Sequence, residues 1–174
     1  MEQKPASLWK SSLISGLYLG IVLILLSVIL YVAGLIFETW VQYISYPVLI
    51  AGAAYAQISY RKSLGGEITY GKALGVGVMS IIVASVLSSI YSYILYTVID
   101  PSLLEQIRVM TEQRIIEQGI PEEQIDTAMN IAMKFQTPVA ITIMGILGGA
   151  LIGLIISLIT AIFTKKNPSN EVPE

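Results

Sequence analysis

The sequence predicts an all-α polytopic membrane protein: four transmembrane helices, with an external two-helix insertion between spans three and four. Three observations carry that expectation. The 174-residue chain is 55% hydrophobic and only 13% charged, against about 25% charged in an ordinary soluble domain. A water-soluble fold of this size could not hide so much apolar surface. Four long segments, residues 11–37, 39–60, 73–99 and 135–164, hold no charged side chain, and about 20 predominantly apolar residues suffice to cross a bilayer as a helix. Lipid offers the backbone no hydrogen-bond partner, so such segments must be helical. The one sizeable polar region, 100–137, falls between the last two segments.

Taken in order, the first apolar segment is too long for a signal peptide and lacks a small-x-small cleavage site, so it reads as a retained anchor. Glu38 is the lone charge before the second span and predicts a tight turn there. Pro47 predicts either a kink in span two or its true start. Thr69 is placed to cap span three, with Tyr70 as the first helical residue. Asp100-Pro101 reads as an N-cap followed by proline at the first helical position, and Thr137-Pro138 repeats that grammar before span four.

The polar region reads as two helices broken at Gly119-Ile120-Pro121. Ile125, Ala128, Met129, Ala132 and Met133 recur at helical spacing and make one apolar stripe. Leu103, Ile107 and Met110 make a shorter one, and Arg108 with Glu112 forms an i,i+4 pair. The expected organisation is a single membrane domain over 1–166, with spans at about 11–37, 39–60, 70–99 and 138–164. The external hairpin occupies about 100–137, and a disordered cytoplasmic tail 167–174.

Orientation follows from the basic residues near the spans. Lys4, Lys10, Arg61, Lys62, Lys72, Lys165 and Lys166 fall on one side; Arg108, Arg114 and Lys134 fall on the other. Both termini are therefore expected on the cytoplasmic side of the membrane, with 100–137 outside. The chain has no Cys and no His, which excludes disulfides, thiolate nucleophiles, imidazole bases and Cys/His zinc sites. A net charge of −2 sets up no field towards nucleic acid. No cofactor or metal is expected.

The four-span layout combines with "YRKSLGGEITYGKALGVG" after span two, "YTVIDPSLLE" at the end of span three and "LIGLIISLITAIFTKK" at the end of span four. Together these resemble the bacterial membrane proteins grouped as Domain of Unknown Function 4199, over roughly Ser11 to Lys166. The most specific piece is the Gly-Gly-x-Ile-x-aromatic-Gly-x-Ala pattern from Gly65 to Ala73. The resemblance implies a small inner-membrane protein and implies no activity, substrate or catalytic residue.

Two constellations stand out. Gly66, Gly71 and Lys72 fall one residue short of a phosphate-binding P-loop, because Ala73 stands where Ser or Thr would bind Mg²⁺. The element before this stretch is a span and not a strand. Gly65, Gly66, Thr69, Tyr70, Gly71, Lys72 and Ala73 are better explained as a signature turn: two glycines for the turn, a cap, interfacial anchors, and a lysine reaching phospholipid headgroups. No nucleotide is expected. In span four, Gly145, Gly149, Gly153, Ser157 and Ala161 recur every four residues and form a groove that another helix can approach closely. Similar rows occur at Ser80, Ala84, Ser88 and Ser92, at Ser12, Gly16 and Gly20, and at Gly52 and Ala56. Packing inside one bundle is the first reading of the groove, and self-association into a homo-oligomer the second.

Serine hydroxyls in span three more often bond their own backbone or glue helices than line a path. No charge lies deep in any span, which weighs against a proton-coupled transporter. Glu122, Glu123 and Asp126 have no nucleophile or base beside them and read as a solvated helix start. The hairpin has three readings: packing on the bundle, lying on the outer leaflet, or binding a membrane or periplasmic protein. The expected function is a non-enzymatic structural or partner-binding membrane component. The alternative is an oligomeric small-solute permease or channel.

Overall fold

A computed structural model describes residues 7–166; Lys4 and the tail expected over 167–174 lie outside the described residues. Six α-helices follow one another: α1 Leu8–Val32, α2 Val41–Ser63, α3 Tyr70–Ile94, α4 Ser102–Glu117, α5 Glu122–Phe135 and α6 Pro138–Thr164. A π-helical turn, Leu95–Ile99, continues α3. Among the described residues no strand forms, and the isolated bridge between Ile68 and Lys166 is the nearest approach to one.

Among the described residues three helices are long and apolar enough to cross a membrane: α1, α3 with its π turn (Tyr70–Ile99), and α6. The second segment, which the sequence counts as a span, is also long, at 23 residues. It is not among the three. Four tyrosines, Pro47 and Gln57 dilute its apolar character.

Most helix ends follow local chemistry. The Ser102 backbone N–H donates to the Asp100 carboxylate at 3.1 Å, which is N-cap chemistry although the regular helix begins at Ser102. Ala140 N–H donates to Thr137 Oγ1 at 3.2 Å, three residues before it in the chain, capping α6 in the same way. Three expectations need correction. The connection after α1 is not a tight turn but runs over residues 33–40. It opens with Gly34 at φ +70. The Gly34 N–H bonds Tyr31 O and the Leu35 N–H bonds Leu30 O, closing the helix in a Schellman motif. Span one accordingly ends at Val32 and not at Phe37. Of the two readings of Pro47, the helix start is set aside and the position within the helix holds: it lies inside α2, where it deprives the Tyr43 carbonyl of its helical donor. Arg108 pairs with Glu105 at 3.9 Å and not with Glu112; spacings of three and four are equally within reach on a helix.

By their contacts the described residues divide into two compact units, residues 7–88 with 147–166, and residues 89–146. The first is built around α3. One cluster gathers Leu19, Ala53, Ile81, Ala84 and Ile156; another gathers Tyr60, Ile68, Ala73, Val76 and Ala161. Both draw on α2, α3 and α6. Small residues let the backbones meet. A Cβ added at Gly16 would lie 2.6 Å from the Ser80 carbonyl oxygen, and one at Gly153 2.8 Å from Ile81 Cγ2. A Cβ at Gly149 would collide with the Ser85 side chain. Large apolar side chains such as Ile21, Leu25, Leu151 and Ile155 face outward, the reverse of a soluble domain.

The second unit contains the helical hairpin. Leu95, Leu103, Ile115 and Met129 are buried in it, and α4 packs against α5. Ile125, Ala128 and Ala132 line the less exposed face of α5, whereas Met133, the last member of the expected stripe, is exposed. Gln136 donates to Thr111 Oγ1 at 2.6 Å and ties the two helices together. A Cβ at Gly145 would lie 2.8 Å from Ser89 Oγ, both within this unit.

Candidate functional site

The signature turn begins as the end of α2, whose last turn carries Arg61 and Lys62. Gly65 has φ +86 and Gly66 φ +102, conformations that a side chain resists. A Cβ at either glycine would meet nothing within 4 Å, so backbone conformation and not crowding requires glycine here. The Gly65 N–H donates to Lys62 O at 3.3 Å and the Gly66 N–H to Arg61 O at 3.0 Å. These two amides, which a P-loop would turn towards phosphate, are consumed in closing the helix.

The chain then pairs with its far end. Ile68 N–H donates to Lys166 O at 2.8 Å, and Lys166 N–H donates back to Ile68 O at 3.0 Å. The Ile68 side chain is only 2% exposed and anchors the turn in the core. Helix α3 starts at Tyr70, with the Ala73 N–H bonded to Thr69 O at 3.0 Å. The Tyr70 hydroxyl donates to Leu158 O of α6 at 3.2 Å. Ala73 is fully buried against Tyr60, Ile68, Val76 and Ala161. The position where a P-loop presents its Mg²⁺-binding hydroxyl therefore faces the protein core. Gly71 and Lys72 are exposed, and Lys72 lines a shallow, open cleft of about 200 Å³ with Leu64, Glu67, Ile68 and Thr69.

Behind this turn lies a polar cluster. Gln57 of α2 is fully buried. Its Nε2 donates to Ser157 O at 3.4 Å, and its Oε1 lies 2.8 Å from the Thr164 hydroxyl. That hydroxyl is also 3.0 Å from Thr160 O, so its single proton serves one or the other. Arg61 Nη1 donates to Thr164 O at 3.0 Å. Gly77 makes the space: a Cβ there would sit 2.6 Å from Gln57 Nε2 and 2.7 Å from Ser157 Oγ. The Ser80 hydroxyl is 2.7 Å from Val76 O and 3.3 Å from Ser12 O of α1. Among the described residues the hydroxyls of Ser12, Ser88 and Ser157 are buried without a partner. Sequence reading did not single out Gln57. The available signal was a lone amide inside an apolar run, which lipid would penalise unless another helix satisfied it.

The small-residue row of α6 turns towards α3. Gly149 and Gly153 abut Ser85 and Ile81 in the first unit, and Gly145 abuts Ser89 in the second. Ser157 and Ala161 are fully buried. The row is thus occupied by residues of the same chain. Glu122, Glu123 and Asp126 do not converge with other ligand-type side chains: among the described residues no group of three or more could hold a metal ion.

Residues 14–166 match the family model described as Protein of unknown function (DUF4199). No curated protein and no solved structure matches the chain.

Proposed function

The chain belongs to the DUF4199 family, and from its own geometry we propose that it is a non-enzymatic structural or partner-binding component of the bacterial inner membrane. In this reading α1, α2, α3 with its π turn, and α6 cross the bilayer. Both termini are cytoplasmic, and the α4–α5 hairpin stands outside, available to a membrane or periplasmic protein. One observation carries the reading: within the first unit, small and polar groups of the apolar helices are used on one another, while large apolar side chains face out. Helix association in lipid relies on such close packing and on interhelical hydrogen bonds.

Two further features support the topology. Helix α2 contributes to both core clusters alongside the three more apolar helices, and its buried amide is satisfied by α6. The Ile68–Lys166 bridge holds Lys72, Lys165 and Lys166 at one end of the unit. The start of α1 lies there too, because a Cβ at Gly75 would be 3.5 Å from Leu8 Cδ1. The basic residues of four helix ends therefore share one side.

Cysteine placed at Ser63 should be shielded from a membrane-impermeant thiol reagent in intact cells, and cysteine at Gln118 should react. A photo-crosslinking residue at Ile116 or Phe135, both exposed, should join the hairpin to a second protein in cells. Solute flux through liposomes holding the purified protein, with no crosslink from either position, would favour the permease reading instead.

A further inference from the structure

The bridge between Ile68 and Lys166 brings basic residues from two distant stretches of the chain to one end of the first unit. Residues 61–72 and 165–166 carry Arg61, Lys62, Lys72, Lys165 and Lys166 against a single carboxylate, Glu67. Lys62, Lys72, Lys165 and Lys166 are exposed. Arg61 gives one of its five donors to Thr164 O and keeps others. Like charges brought together by folding repel, so a cluster of this kind favours a counter-anion.

The surroundings say which anion. The cleft beside Lys72 has the Thr69 side chain on its wall and an apolar floor of Leu64 and Ile68. Immediately before Lys165, Ile162 and Phe163 of α6 are exposed, Phe163 by 80%. A soluble phosphate would leave this apolar border unused. A molecule with a phosphate at one end and hydrocarbon at the other matches both.

We propose that this end of the first unit is a binding surface for anionic phospholipid, whose phosphate lies among Lys72, Lys165, Lys166 and the Thr69 hydroxyl while its acyl chains run along the outward side chains of α6. The two glycine amides take no part, being bonded to Arg61 and Lys62 carbonyls. Glu67, the one carboxylate among these residues, also lines the cleft. The inference rests on the reading that this unit lies in the bilayer with its basic end at headgroup level. The structural role of the surface follows: an anionic lipid neutralises the charge that the bridge concentrates.

The test is native mass spectrometry of the full chain, released from detergent micelles doped with equimolar phosphatidylglycerol and phosphatidylcholine. The expected result is preferential retention of phosphatidylglycerol, weakening as ionic strength rises. The double variant K72Q/K166Q should reduce that retention by roughly tenfold or more, since each basic residue near an anionic lipid surface contributes about a fivefold factor. Lys134→Gln on α5 should leave it unchanged. Unaltered melting of the double variant shows that it folds. Equal retention of the two lipids, or retention unaffected by K72Q/K166Q, overturns the proposal. Displacement of phosphatidylglycerol by millimolar inorganic phosphate also overturns it, by pointing to a free-anion site. Failure of the underlying orientation appears elsewhere, as labelling of a cysteine at Ser63 from outside the cell.

Discussion

The two compact units solve the same problem, joining helices, with different emphasis. In the first, glycine, alanine and serine bring backbones together around Leu19, Ile81 and Ile156, and a buried glutamine links α2 to α6. In the second, the α4–α5 hairpin buries Leu103, Ile115 and Met129 and leaves its charged residues outside. The difference reflects the solvent each pattern suits. In water, burying large apolar side chains drives association. In lipid that drive is absent, and close approach with a few interhelical hydrogen bonds takes its place.

The largest expected effect attacks the close-packed contact. Gly149→Leu puts a side chain where Ser85 already sits and should lower stability in mild detergent by about 3 kcal/mol, the upper end for overpacking. Its neighbour Gly148 has nothing within 4 Å of an added Cβ, so Gly148→Leu should stay within about 0.5 kcal/mol of the parent. Equal melting temperatures for the two variants would show that α3 does not cover this row.

The next comparison asks whether backbone strain cares about the surroundings. Gly66 (φ +102) and Gly119 (φ +72) lie in different units, and each has open space where a side chain would go. Gly66→Val and Gly119→Val should each lose about 1–2 kcal/mol, because the left-handed conformation penalises both alike. A loss confined to one of them would mean that the other turn relaxes freely.

Smaller again is the contrast between two amides. Gln57→Leu removes a fully buried link from the first unit and should reduce stability by about 1–2 kcal/mol. Gln136→Leu removes the partly buried link to Thr111 in the hairpin and should reduce it by about 0.5 kcal/mol. Smallest is Arg108→Ala. Its 3.9 Å contact to Glu105 is exposed, so thermal unfolding should register less than about 0.5 kcal/mol. A reversal of the order of the two amides would break the account of the first unit as a hydrogen-bonded bundle.

How much of this was legible in the sequence depended on whether the signal was local. The start of α6 at Pro138 can be read because a capping residue, Thr137, stands beside it; α3 starts at Tyr70 as expected, with the Ala73 N–H on the Thr69 carbonyl. The break at Gly119-Ile120-Pro121 is local in the same sense. The end of α1 was misplaced because Gly34 stands in an apolar run that composition alone would continue. The π turn at Leu95–Ile99 has no compositional mark: a shift in hydrogen-bond register leaves the residue types unchanged. For the candidate site, the glycines of the turn announced themselves, but its partners did not. Nothing near Ile68 names Lys166, and nothing near Gln57 names Thr164. The α6 row declared that a helix approaches closely without saying that α3 supplies it.

The pairings of Gln57 and Arg61 with α6 have a consequence for the order of assembly. They connect residues 100 to 107 positions apart, and the Ile68–Lys166 bridge is of similar reach. Synthesis delivers the N-terminal partner of each pair first. Helices α1 to α3 must therefore exist for a time without the α6-side partners of the Gln57 amide and the Ile68 backbone. Helix α6 and the residues just after it, made later than α1 to α3, supply those partners. A chain stopped before Ser157 would present an incomplete bundle with an exposed amide in its apolar wall, which is the kind of feature by which quality-control machinery could tell an unfinished protein from a finished one.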